Sequence, residues 1–264
     1  MRFVFLILAL LGLSPVGQCQ VPTPALYAQR KVPADLEGLY WNKWDTKNFV
    51  VISLNKSRGS SMRRELEVVR DDVLKRWSLP EVSRGRCKVV VVPSSKLLKR
   101  LFGLSEPKCE VSKSGEDGLE SAIWVDEERL LELSSLVVER ELLCGDFRPF
   151  LKRGIPLLEG VPSQTRTELS SSSEMKISSF LNVGPDSEDA EVLKNSALLC
   201  LLVRKEFGSR VFGKLLSNSS APLHDLLGFA SESDLGSTYA RYRANLLADL
   251  KSGRTPDEYL SAPR

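Results

Sequence analysis

The densest group of residues suited to chemistry lies between Ser134 and Gly160, in SSLVVERELLCGDFRPFLKRGIPLLEG. Glu139 and Arg140 sit there in an apolar helical frame, and Arg153 follows in PFLKRGIP. A carboxylate with two permanent guanidinium charges has two uses. The groups can pair and hold two helices together, or Arg140 and Arg153 can bind an anion such as a peptide C-terminal carboxylate. Other chemistries find less support. His224, in PLHDLLGF, is the single histidine, so no histidine pair exists to hold a metal, and no serine context favours a Ser–His–Asp triad. The chain has no G-x-S-x-G elbow, no P-loop and no G-x-G-x-x-G. Carboxylates such as Glu139 with Glu141, or Asp126 with Glu127, are alternate or adjacent and do not face one site on a helix.

The elements around this stretch read in order. FVVISL (Phe49 to Leu54) is a β-branched strand. A helix capped by Ser60 or Ser61 follows, with Met62, Leu66, Val69, Val73 and Trp77 on one apolar stripe. CKVVVVP (Cys87 to Pro93) is a strand of the kind buried within a sheet, and SSKLLKRLFG (Ser94 to Gly103) is a short capped helix. Leu104 to Gly118 reads as a loop, Ser121 to Val125 as a strand, and Arg129 to Leu133 as an edge strand. Helices are expected from Ser134 to Leu143 and from Pro149 to Leu158, broken at Cys144 and Gly145. Val161 to Ser179, with its run of four serines, reads as an excursion. Helices then cover Ala190 to Phe207, Arg210 to Leu216, Pro222 to Phe229 and Ser233 to Leu250. The fold class is α+β: a small N-terminal mixed sheet with helices leads into a mainly helical C-terminal half.

The chain has 264 residues and a net charge of +3, with charges of both signs interleaved, which argues against nucleic acid as a partner. Arg2 followed by the apolar run Phe3 to Leu13 is a signal-peptide pattern; cleavage after Cys19 puts the mature start near Gln20. Gln18 disfavours lipid attachment at Cys19. No later stretch reaches the ~20 apolar residues of a membrane helix, so the expectation is a protein exported to the periplasm or cell exterior. The divisions are residues 1–19 (signal), 20–48 (an extended arm anchored by Tyr40, Trp41 and Trp44), 49–133 (sheet unit), 134–251 (helical unit) and 252–264 (flexible tail). Four cysteines remain, and an oxidising compartment allows pairing of Cys87 with Cys109 and Cys144 with Cys200, or burial of some of them as thiols. Asn55-Lys56-Ser57 and Asn218-Ser219-Ser220 fit the glycosylation sequon.

The fragments LVVERELL, PFLKRGIP, ALLCLLVRKEFG and YARYRANLLADL, in this order after the two strand-and-helix units, resemble the peptidase MA-like family of gluzincins. In that family an H-E-x-x-H helix supplies two zinc ligands and a general base, and a later W-L-x-E-G segment supplies a third ligand. The resemblance implies a zincin-like fold and places Glu139 and Leu143 at the two histidine positions, Arg140 at the base and Arg153 at the glutamate ligand. Glu159 of LEG is an alternative third position. All four functional positions are replaced, and two arginines in one pocket would oppose a cation. The resemblance therefore implies a catalytically inactive, pseudo-metallopeptidase protein without a cofactor, binding or scaffolding an unknown protein or peptide. An active hydrolase with a metal-independent or rearranged site (His224, Cys144 or Cys200) and a structural module of an envelope assembly stand as alternatives.

Overall fold

A computed structural model describes residues 39–81, 85–114 and 118–260. The signal segment 1–19, residues 20–38 of the arm, and residues 261–264 of the tail lie outside the described residues. The chain folds as α+β, with a five-stranded mixed sheet at the N-terminal side and helices thereafter.

The sheet comprises β1 (Asn42–Asp45), β2 (Phe49–Ser53), β3 (Cys87–Val92), β4 (Lys108–Ser114) and β5 (Gly118–Asp126), in the order β1-β2-β3-β5-β4. The β2–β3 and β3–β5 pairs are parallel, and β1 and β4 are antiparallel edges. The central strands are apolar on both faces because both are covered. One face, with Phe49, Val89 and Ile123, packs on helix α1 (Lys56–Trp77) and helix α3 (Leu133–Cys144). The opposite face, with Ile52, Val90 and Trp124, packs on α2 (Ser95–Phe102) through Leu98, Leu101 and Phe102.

Several local readings change. The stretch taken as an arm contributes β1. Trp44 lies against Gly59 of α1, where a Cβ would come within 2.1 Å of the ring, whereas Tyr40 is 93% exposed and anchors nothing. Asn55, not Ser60 or Ser61, caps α1, accepting from the Arg58 amide. Lys108–Ser114 is a strand rather than loop, and Glu127–Glu132 is a 3-10 turn rather than an edge strand, capped by the Asp126 carboxylate.

Beyond α3 come α4 (Pro149–Leu158), α5 (Pro162–Ser170), α6 (Ile177–Leu181), α7 (Ala190–Leu202) continuing as a π turn (Val203–Phe207), α8 (Gly208–Ser217), α9 (Leu223–Leu226), α10 (Glu232–Lys251) and α11 (Pro256–Leu260). The serine-rich excursion is thus α5 and α6, pinned by buried Leu169, Ile177 and Phe180. The stretch read as a flexible tail contains α11, whose buried Tyr259 donates to Asp249 at 2.7 Å. No helix among the described residues is long and apolar enough to cross a membrane.

The helical core is separate from the two sheet cores, and α1 and α3 belong to both sides. On α1, Met62 and Leu66 meet the sheet, while Val73 and Trp77 meet the helices. On α3, Leu133, Leu136 and Val137 meet the sheet, while Val138 and Leu142 meet the helices. Glu139, Arg140 and Glu141 of α3 therefore stand where the two halves join.

Candidate functional site

Helix α3 carries Glu139, Arg140, Glu141 and Leu143 through this junction, and only Glu139 and Leu143 are part-exposed. Glu139 and Leu143 are four residues apart and share a face. Leu143 packs on the sheet core, and Glu139 lies close enough to β4 to feel Lys108 and to act on Cys109. Burial pushes the Glu139 carboxyl up to about 7, with Lys108 opposing. Lys108 itself pairs with Glu110 at 2.8 Å.

Arg140 turns away from that face. Its Nη1 donates to Glu141 Oε1 at 2.5 Å, its Nε to Ser121 Oγ at 3.2 Å and its Nη2 to the Gly85 carbonyl at 2.8 Å. Glu141 also accepts from Arg70 Nε of α1 at 2.9 Å. The three side chains are 2–3% exposed. Arg70 also lies 3.7 Å from the exposed Glu81. Burial draws the Arg140 guanidinium down, but the Glu141 carboxylate more than compensates and holds it above its ordinary value. The result is a buried Arg70–Glu141–Arg140 triad that ties α1, α3, β5 and the turn before β3 together. A buried charge is tolerated when paired and hydrogen-bonded, and here each guanidinium has such partners.

Arg153 is elsewhere. On α4 it points to α7 and to the end of α6. It donates to Ser196 Oγ at 3.2 Å, to the carbonyls of Phe180 and Gly184 at 2.5 and 2.8 Å, and to the Val183 carbonyl. Burial holds its pKa below the usual arginine value. It acts as a cap for carbonyls left open at a helix end. Its neighbour Gly154 has a packing reason: a Cβ there would meet the Ser196 carbonyl oxygen at 2.6 Å, so glycine lets α4 lie directly on α7.

The structure therefore does not gather Glu139, Arg140 and Arg153 into one cluster. It joins Arg140 to Glu141 and Arg70, and leaves Arg153 in the helical core. The anion-binding expectation for Arg140 and Arg153 loses its geometry, since their hydrogen-bonding atoms are directed at protein acceptors in two different places. Glu159, the alternative third position, faces α1. It accepts from Trp77 Nε1 at 2.6 Å and from Arg76 Nη1 at 3.1 Å. His224, on α9, lies 3.3 Å from the carboxylate of its neighbour Asp225.

The cysteines are corrected as well. Cys87, Cys109, Cys144 and Cys200 are buried thiols rather than disulfides. Cys87 is on β3 and Cys109 on β4, with β5 between them. Two strand spacings amount to about 9–10 Å, beyond the ~7 Å Cα reach of a disulfide. Cys144 ends α3 and Cys200 lies in α7, and α4 packs against both helices. Burial pushes the Cys87 thiol up to about 11 and Cys109 well above its ordinary value. Among the described residues no group of three or more His, Cys, Asp or Glu is arranged to hold a metal ion.

Arg70 and Ser196 matter to this region without being singled out by the sequence, which reads Trp77 only as part of an apolar stripe and Glu141 only as one of two alternate carboxylates. The one available signal was Arg70 itself, which falls on the apolar stripe of α1 between Leu66 and Val73. A scan of the chain against protein-family models finds no match. A search of curated proteins finds no match either.

Proposed function

We propose that this chain is an exported binding or scaffold protein on a peptidase-like frame, without zinc-dependent hydrolysis. The carrying observation is the occupant of the position where the resemblance expects the general base. Arg140 there is bound into a buried ion triad with Glu141 and Arg70. A general base must accept a proton and reach a water; a guanidinium held by a carboxylate, a hydroxyl and a carbonyl does neither. Arg153, at the expected third ligand, supports the same reading, because its donors are directed at α6 and α7 acceptors. Of the residues that stand at the expected positions, Arg140 thus ties the two halves of the molecule together and Arg153 braces the helical half.

The test is hydrolysis of a broad peptide library by the purified protein, with and without added zinc and chelator. No chelator-sensitive cleavage is expected. Cleavage that zinc restores after chelation would overturn the proposal.

A further inference from the structure

The 3-10 turn and α5 enclose a groove that none of the residues above uses. Its outer part, about 690 Å3, is lined by Glu106, Glu132 and Glu168 together with Arg129 and Arg166. Its inner part is a recess of about 160 Å3 among Leu136, Pro156, Leu157 and Val161. Glu132, Gln164 and Glu168 line both, so the two form one continuous groove.

The charges there are unequally committed. Arg129 donates to Asp126 through Nε at 2.8 Å and to the Ser105 carbonyl through Nη1 at 3.0 Å, and its Nη2 lies 2.6 Å from the same Asp126 carboxylate as an ion pair. Arg166 donates to the Gly253 carbonyl at 3.1 Å. Among the described residues, the carboxylates of Glu106, Glu132 and Glu168 have no ion pair and no hydrogen-bond donor, Glu168 accepting only through its carbonyl oxygen from Ser171. Burial raises the Glu132 carboxyl, with Asp126 and Glu106 adding to the effect against Arg129. Leu131, next to Glu132, is 78% exposed at the edge of this turn. A recess of ~150 Å3 holds an object the size of a benzene ring.

We propose that this groove docks a cationic peptide segment of a partner protein, with one apolar side chain in the recess and lysine or arginine side chains against Glu106, Glu132 and Glu168. The assignment rests on the binding reading above and gives it a location and a partner chemistry. The carboxylates attract the segment and set its register, and the recess supplies the anchor that survives salt. A neutral or acidic segment lacks the first, and a purely basic one lacks the second.

The test uses a fluorescein-labelled heptapeptide, Lys-Lys-Ser-Leu-Ser-Lys-Lys, titrated with the full chain and followed by anisotropy. Two control peptides carry Glu for every Lys, or Ala for Leu. Saturable binding with a Kd on the order of 10 μM is expected for the first peptide only. E132Q/E168Q, at one half-buried and one exposed position, should weaken it roughly tenfold while leaving the circular dichroism spectrum unchanged. Equal binding of the Glu peptide, unchanged binding by the folded double variant, or no saturation up to ~1 mM would overturn the assignment. Mass spectrometry of the recovered peptide separates the two readings. Cleaved peptide refutes binding without hydrolysis, whereas the groove stands or falls on the affinity ratio alone.

Discussion

Replacing Glu141 by glutamine tests the buried triad most sharply. Glu141 is 3% exposed and lies between Arg70 and Arg140, each 2% exposed, at 2.9 and 2.5 Å. Another carboxylate, Glu81, is 3.7 Å from Arg70 but 58% exposed and already bonded to Lys47 at 2.9 Å. The variant therefore leaves two guanidinium charges buried together, retaining one amide oxygen as acceptor. Removing one partner of a buried ion pair costs about 3–5 kcal/mol. The retained acceptor argues for the lower end, about 3 kcal/mol. For a chain of this size each kcal/mol moves Tm by roughly 2–4 °C, so E141Q should melt about 6–12 °C lower. Calorimetry and urea midpoints of E141Q, R70Q and the double variant form the assay. The double variant should cost less than the sum of the singles, because one unpaired charge leaves with the other. A loss below about 1 kcal/mol for E141Q, or strict additivity, would refute the triad as a cross-link between the halves.

Four further expectations follow from the same geometry. Gly154→Ala should destabilise by about 2 kcal/mol in urea melts, although helix propensity alone gains about 1 kcal/mol, because the new Cβ meets the Ser196 carbonyl oxygen at 2.6 Å; a stabilised variant would contradict the close α4–α7 approach. Glu139 has a folded pKa of about 7 against an ordinary 4.5, so the native state holds its proton more tightly and stability falls as pH rises from about 4.5 to about 7. The full displacement corresponds to roughly 3 kcal/mol, reduced to about 1–2 by partial exposure, and E139Q should recover that amount at pH 8 and little at pH 4; parallel pH profiles of the two proteins would contradict it. Arg153→Lys cannot reach the same fan of acceptors and should cost about 2 kcal/mol, read as a lowered urea midpoint, with no change meaning that the α6 carbonyls do not need it. Cys87, Cys109, Cys144 and Cys200 should all titrate with a thiol reagent in denaturant without reductant and resist it in the native state; fewer than four in denaturant would show a disulfide.

The sequence disclosed those parts of the fold that announce themselves locally. CKVVVV and FVVIS read as buried strands because β-branched apolar runs have few other uses, and a helix around Pro149 to Leu158 is legible as well. β4 did not, because KCEVSKS is a half-solvated edge whose strand character comes from pairing with β5. The 3-10 turn after β5 was hidden by its apolar Leu130 and Leu131, whereas the deciding feature is the Asp126 carboxylate capping Glu128 and holding Arg129. At the site the sequence gathered the right helix but the wrong partners. It linked Glu139 to Arg140 and Arg153, while the real carboxylate is Glu141 and the real second arginine lies 71 residues away on α1. Pairing of buried charges is a tertiary property, and nothing in the local pattern distinguishes Glu139 from Glu141. Arg70 carries the one local sign, since its spacing from Leu66 and Val73 puts a charged residue on the buried side of α1. Likewise Gly154 looked like part of a motif, and only the Ser196 backbone reveals why no larger residue fits.

The central proposal, that the positions expected to hold zinc form a structural junction instead, is tested most directly by counting zinc. The purified full chain, dialysed against micromolar zinc and then against zinc-free buffer, should retain far less than one zinc per chain by plasma mass spectrometry. Close to one zinc per chain, removed by chelator together with a peptide-cleaving activity, would contradict the account.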